Sequence, residues 1–150
     1  MTSAHKSEDL APGNETVFTV NDYYDGPLKG IANFQGKPHF YERIFDSAND
    51  DYSDMYRLTP VDGQTFRLAM ETWNIWRRWE TAFHTGKAKM DSHPALPEDV
   101  ARYEELKRAL GDGLHSGPNA VVRVGKFSVI GQSDLPRGVM RALQVQWTNP

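Results

Sequence analysis

Two charged residues stand where charge is costly. Arg77 and Glu80 lie three apart within TFRLAMETWNIWRRWETAF, residues 65–83, which also carries Trp73, Trp76 and Trp79. At about 100° per residue, Glu80 falls between Trp73 and Trp76, and Arg77 falls near Phe66 and Met70. A carboxylate beneath indoles is desolvated, and its pKa rises unless it is paired. Two chemistries follow. In one, Arg77 and Glu80 form an i, i+3 ion pair, or snorkel at the edge of the apolar stripe, and serve the fold alone. In the other, Glu80 is a general acid or base in a pocket floored by indoles, with Arg77 or Tyr24 holding a substrate. His39 is the second candidate base, since histidine titrates near neutrality and is the residue most often recruited for proton transfer.

A ligand-binding loop is the other candidate. Asp22, Tyr23, Tyr24 and Asp25 precede Gly26-Pro27, and Asp-Gly-Pro demands a tight turn in which Asp25 can bond its own backbone. The plain reading is a β-turn with packed tyrosines. The functional reading is a loop presenting Asp22, Tyr24 and Asp25 at the rim of a sheet, with Tyr41 on the neighbouring strand. The candidate ligand-binding set is therefore Asp22, Tyr24, Asp25, Tyr41 and Arg77. Tyr23, Tyr24, Tyr41 and Tyr52 are the aromatics expected at the surface, with Trp147 at the margin.

Other chemistries lack their residues. The 150-residue chain has no cysteine, so disulfides, thiolate zinc sites and cysteine nucleophiles are excluded. His5, His39, His84, His93 and His115 show neither metal-ligand spacing nor a carboxylate cluster, so neither metal nor cofactor is expected. The acidic stretch DSANDDYSD, residues 46–54, fails as a calcium loop. Ala48 stands at position 3, Asp51 replaces the glycine at position 6, and Arg57 stands at position 12. A solvated acidic turn is expected there. Gly111-Asp112-Gly113 lacks the lysine of a phosphate-binding loop, and no nucleophile elbow is present.

The net charge of −3 argues against a nucleic-acid binder. No segment reaches the ~18 apolar residues of a membrane span. Residues 1–15 read as a polar, disordered lead with no secretory signal, and the cytoplasm is the expected compartment.

The elements that must position these residues can be read in order. Strand patterns occupy 16–20, 28–34, 37–45 and 55–61. The helix at 65–83 starts from Asp62 as N-cap, with a Val61–Phe66 staple, and stops at Gly86. Its wide apolar arc predicts enclosure on most sides, with its tryptophans joining the N- and C-terminal strands. A second helix opens at Pro97, carries Val100, Tyr103, Leu106 and Leu110, and closes at Gly111. Strands return at 120–130 and 140–147. In the first, Gly125 suggests a bulge that keeps Phe127 and Val129 on the side of Val122 and Val124. In the second, Leu143, Val145 and Trp147 point in and Gln144 and Gln146 out. The expected fold is a single α+β domain over 16–150. It is a curved antiparallel sheet or small, partly open β-barrel of about six strands, with two helices inserted between the fourth and fifth.

Two stretches resemble a group of small uncharacterised bacterial proteins. The first is a D-x-Y-D-G-P-x-x-G-x-A-x-[FY]-x-G-x-P-H pattern, here Asp22 through His39; the second is a W-x-x-W-R-R-W-E helix, here Trp73 through Glu80. The resemblance spans most of residues 16–110. It implies that both stretches belong to one fold, and it brings no activity and no catalytic residue with it.

With no complete catalytic constellation in view, the expected function is that of a non-enzymatic binding or interaction domain. Its 22–27 loop and adjoining sheet face would engage a protein or small molecule. A small hydrolase or isomerase using Glu80 or His39 is the alternative. Apolar residues on both sheet faces also admit a homo-oligomer.

Overall fold

A computed structural model describes residues 10–131 and 135–150. The lead expected over 1–15 therefore lies mostly outside the described residues. Of its last residues, the Ala11 N–H donates to Gln144 Oε1 at 2.9 Å and Glu15 opens the first strand. The described chain packs as two compact units. Residues up to Val61, His115–Gly131 and Ala142–Pro150 form one; Asp62–Leu114 and the segment ending at Arg141 form the other.

The first unit is a curled, seven-stranded antiparallel half-barrel. Its strands are β1 (Glu15–Thr16), β2 (Asp22–Tyr23), β3 (Pro27–Phe34), β4 (Lys37–Asp46), β5 (Asp51–Pro60), β6 (Val121–Val129) and β7 (Leu143–Thr148). They are ordered β1-β7-β6-β5-β4-β3-β2. Glu15 and Thr16 pair with β7, and the next residue, Val17, bridges Ala32 of β3. One short segment thus reaches from one side of the curl to the other. The strand expected over 16–20 is accordingly brief; beyond it the Phe18 and Thr19 N–H groups both donate to Ile31 C=O, and Asn21 N–H donates to Lys29 C=O.

Two further differences concern the text read as turns. Asp22 and Tyr23 form a short strand on β3, which raises the strand count to seven. The acidic loop expected over 46–54 shrinks to a tight turn, because Asp46 accepts from Ala48 N–H and Asn49 Nδ2 while Asp50 takes a positive φ of 52°. β5 therefore begins at Asp51, and Tyr52 stands opposite Phe45.

The half-barrel core is made by its own strands: Ala32, Tyr41, Tyr56, Leu58 and Val145, with Val17, Phe34, Phe127 and Trp147 packed against them. The tryptophans of residues 65–83 are not among them. Phe127 sits at the centre, its ring 5.2 Å from Tyr41, 5.3 Å from Tyr56 and 5.7 Å from Trp147. Such spacings suit tilted and edge-on aromatic pairs. The buried hydroxyls are satisfied: Tyr41 donates to Thr19 C=O at 2.8 Å, and Tyr56 to Pro27 C=O at 2.7 Å.

Two glycines open the space for these rings. A Cβ on Gly30 would collide with Thr19 C=O and lie 2.5 Å from the Tyr41 hydroxyl oxygen. A Cβ on Gly125 would lie 2.5 Å from the Trp147 ring. Gly125 is not the expected bulge, since β6 pairs with β7 without interruption from Val124 to Val129. Alternation therefore runs straight through it and places Arg123, Gly125 and Phe127 on one face. Val129 is left exposed. Gln144, expected outward to solvent, is buried; it accepts from Ala11 N–H and donates to Ser128 Oγ.

In the second unit, α1 (Gly63–His84) matches the sequence reading at both ends. Asp62 accepts from Thr65 N–H at 2.7 Å, which holds the Asp62 carboxyl below its ordinary pKa, and Gly86 adopts φ 79°. A 3₁₀ turn at Pro97–Asp99 leads into α2 (Val100–Leu110). Ile75, Ala95 and Leu106 are the buried centre, flanked by Leu68 and Tyr103. Val100, expected on the apolar stripe of α2, is exposed. Arg102 forks onto Glu71 at 2.6 and 2.8 Å, and Arg78 onto Asp99 at 3.1 Å through two nitrogens. No helix among the described residues is long and apolar enough to cross a membrane.

Candidate functional site

Arg77 and Glu80 do pair, within the helical unit. Glu80 is 4% exposed, and its Oε1 accepts from Arg77 Nη1 at 2.8 Å. The Arg77 guanidinium carbon also lies 5.8 Å from the centre of the Trp73 ring, and Arg77 lines a cavity of about 540 Å³ along α1 with Asn74, Arg78, Thr81, Ala82, Thr85 and Lys87. Glu80 Oε2 accepts from the Met140 N–H at 2.8 Å, while the same Arg77 nitrogen donates to Met140 C=O at 2.8 Å. Both carboxylate oxygens are thus held by internal donors, the state of a satisfied buried charge. Beside this clamp Val139 is buried and Gly138, at φ 93°, lies against the His84 ring. Trp73 and Trp76 stack on each other at 5.1 Å, and Trp79 donates through Nε1 to Ser92 Oγ.

His39 and Tyr24 belong to the sheet unit and lie toward opposite ends of β4. His39 is half-buried near the β3–β4 turn, its Nδ1 2.8 Å from Lys37 C=O and its ring edge-on to Phe34 at 5.3 Å. Tyr24 lies toward the β4–β5 turn, 6.4 Å from the Tyr52 ring. Tyr41, expected as an exposed ligand-binding residue, is instead fully buried. Its phenol pKa is pushed well up by burial, with Tyr56 adding to the effect. The face of β4 that carries Tyr41 is the one turned into the half-barrel core.

What remains of the expected ligand-binding set is an exposed rim. Tyr24 is 65% exposed, Tyr23 59% and Phe45 48%, with Phe45 edge-on to Tyr52 at 5.2 Å. Asp22 and Asp25 flank the two tyrosines in the chain; Asp46 pairs with Asp51 across β4 and β5; Asp50 lies in the turn between them. Arg43, which the sequence reading overlooked, fastens the rim. Its Nε donates to Ser53 C=O at 2.6 Å and its Nη1 to Asp25 C=O at 3.1 Å, with the guanidinium 5.9 Å from the Tyr52 ring centre. The positive φ of Asp25, 51°, and of Gly26, 117°, carries the chain past this guanidinium. The available signal was the alternation itself, which puts Arg43 beside Tyr41 and Phe45.

A second concavity lies at the other end of the β3–β4 hairpin. It is lined by Phe34, Trp147, Arg123 and Glu15, with Thr148 and Asn149. Sequence reasoning missed Arg123 because the expected bulge at Gly125 put that residue on the opposite face. Among the described residues, no group of three histidines, aspartates or glutamates is placed to hold a metal ion. Compared with protein families, curated proteins and solved structures, the chain finds no match.

Proposed function

We propose that the protein is a binding or interaction module without catalytic activity, acting in the cytoplasm, and that its working surface is the rim formed by Tyr23, Tyr24, Phe45 and Tyr52. The observation that carries this reading is the exposure of Tyr23, Tyr24 and Phe45, the last two packed on the half-buried Tyr52 ring. Contiguous exposed aromatics mark interaction surfaces, and tyrosine is among the residues that dominate binding energy. The flanking aspartates make the rim acidic, so its complement is a segment carrying lysine or arginine beside an apolar anchor. Arg43 holds the rim in place from beneath, which limits the entropy lost on binding. The occupied carboxylate of Glu80 also favours this reading over a hydrolase or isomerase.

The test uses synthetic peptides of graded charge, each with one leucine anchor, titrated into the full chain by calorimetry. Basic peptides should bind, weaken as salt is raised, and lose about tenfold or more on Tyr24→Ala or Phe45→Ala. Equal binding of acidic and basic peptides, or affinity unchanged in both variants, would refute the reading.

A further inference from the structure

We propose that the mouth of the half-barrel beside the β3–β4 turn is a second binding site, for a small organic monocarboxylate with an apolar body. The cavity has a volume of about 450 Å³. That falls in the range of small-molecule sites, roughly 300–1,000 Å³, and barrel mouths are a common place for them. Two aromatic side chains wall it. Trp147 is fixed by the bond from its Nε1 to Asn33 C=O at 2.9 Å, and Phe34 lies beneath Arg123, whose guanidinium carbon is 5.2 Å from the ring centre.

Arg123 sets the ligand class. It is half-buried, and among the described residues no carboxylate comes within ion-pair range of it. Its one hydrogen-bond acceptor there is Val122 C=O at 2.8 Å, reached through Nη1. A guanidinium has five N–H donors in a planar fork that matches a carboxylate. The cation–π contact with Phe34 holds the guanidinium at the cavity wall. A half-buried cation against aromatic walls, with donors to spare, calls for an anion.

Glu15 restricts which anion. It lines the same cavity, but its two oxygens already accept from Gln35 N–H at 3.0 Å and Gly36 N–H at 2.8 Å. It therefore braces the turn and does not neutralise Arg123. Its charge still faces the cavity and penalises a doubly charged ligand. A single carboxylate on Arg123, with an apolar body against Phe34 and Trp147, meets all three conditions.

The probes are benzoate, its neutral counterpart benzamide, the dianion phenyl phosphate, and the cation benzylamine. Each is titrated into the full chain while the Trp147 indole N–H and the Arg123 Nε–H are followed by NMR. Benzoate should shift both signals saturably with a millimolar dissociation constant, the scale of a weak ligand of this size. Benzamide and phenyl phosphate should bind about tenfold or more weakly, and benzylamine should not shift the Arg123 signal. Arg123→Gln should abolish the benzoate response at Trp147. Benzamide or phenyl phosphate binding as well as benzoate, an unchanged response in Arg123→Gln, or no saturation by about 20 mM benzoate would each overturn the proposal. The comparison among probes needs only the native chain, so it decides the matter even if the variant does not fold.

Discussion

Arg77 and Glu80 grip opposite sides of a single residue's backbone: Arg77 donates to Met140 C=O, and Glu80 accepts from Met140 N–H, each at 2.8 Å. The pair binds a distant segment to α1 as well as neutralising itself. Glu80→Ala removes one acceptor from Met140 and the counter-ion from Arg77. It should cost about 1–3 kcal/mol, the usual penalty for leaving a buried donor unmet. Glu80→Gln keeps a carbonyl acceptor and should cost less. Urea denaturation of both variants, with hydrogen exchange at the Met140 amide, checks the order. An alanine variant as stable as the native chain would show the clamp to be idle.

The rim should be dispensable for folding. Tyr24→Ala and Phe45→Ala remove exposed rings and should each change stability by no more than about 0.5 kcal/mol. Arg43→Ala should behave differently, because Ser53 C=O and Asp25 C=O lose their donor and Tyr52 loses its cation. A loss of about 1–3 kcal/mol is expected there. Denaturation midpoints of the three variants separate the surface from its support.

Alkali should weaken the half-barrel before its tyrosines ionise. Burial pushes the Tyr56 phenol up to about 12, against the lowering effect of Arg43, and raises Tyr41 as well. A raised folded pKa means the folded state keeps a proton that the unfolded state releases. The contribution is complete below pH ~10, the unfolded value, and is lost as pH rises towards about 12, at ~1.4 kcal/mol per pH unit for one phenol. Tyr56→Phe should flatten that slope. Stability measured by urea denaturation across this range tests the sign, and a native chain that gains stability there would contradict it.

Adding one methyl group at either core glycine should be felt. Gly30→Ala drives a Cβ into Thr19 C=O and the Tyr41 hydroxyl, and Gly125→Ala drives one into the Trp147 and Tyr56 rings. Overpacking of this kind costs about 1–3 kcal/mol, and more where backbone blocks relaxation. Gly30→Ala should be the worse of the two, since a carbonyl cannot turn aside as a ring can. Thermal unfolding of both variants gives the comparison. Gly36→Ala is a useful contrast, for a Cβ there meets nothing within 4 Å and the strain lies only in its φ of 76°.

Much of the fold was legible because its signals are local. The Asp62 cap and the Gly86 stop act within one helical turn, so α1 could be bounded from neighbouring residues. The β3–β4 hairpin follows from Gln35-Gly36, both at positive φ, and the Arg77–Glu80 pair follows from helical spacing. The rim residues Tyr23 and Tyr24 were expected at the surface because turn text surrounds them, and they are exposed. The remaining rim was hidden by reading the acidic stretch as a loop, which obscured the pairing of Phe45 with Tyr52.

By itself, the sequence determined the antiparallel strands flanking two helices, the helix ends, the tight turns and which residues alternate together. These depend on backbone preferences and spacing that hold over a few residues. Tertiary structure alone decided which face of each strand became the inside. Curling the sheet enclosed Tyr41, left Tyr24 in solvent, and carried Arg123 to Phe34 across an unbroken β6. It also turned Glu80 toward a backbone sixty residues away. Period-two alternation separates two faces but does not say which is concave, and a charge has no sequence signal for a partner brought to it by the fold.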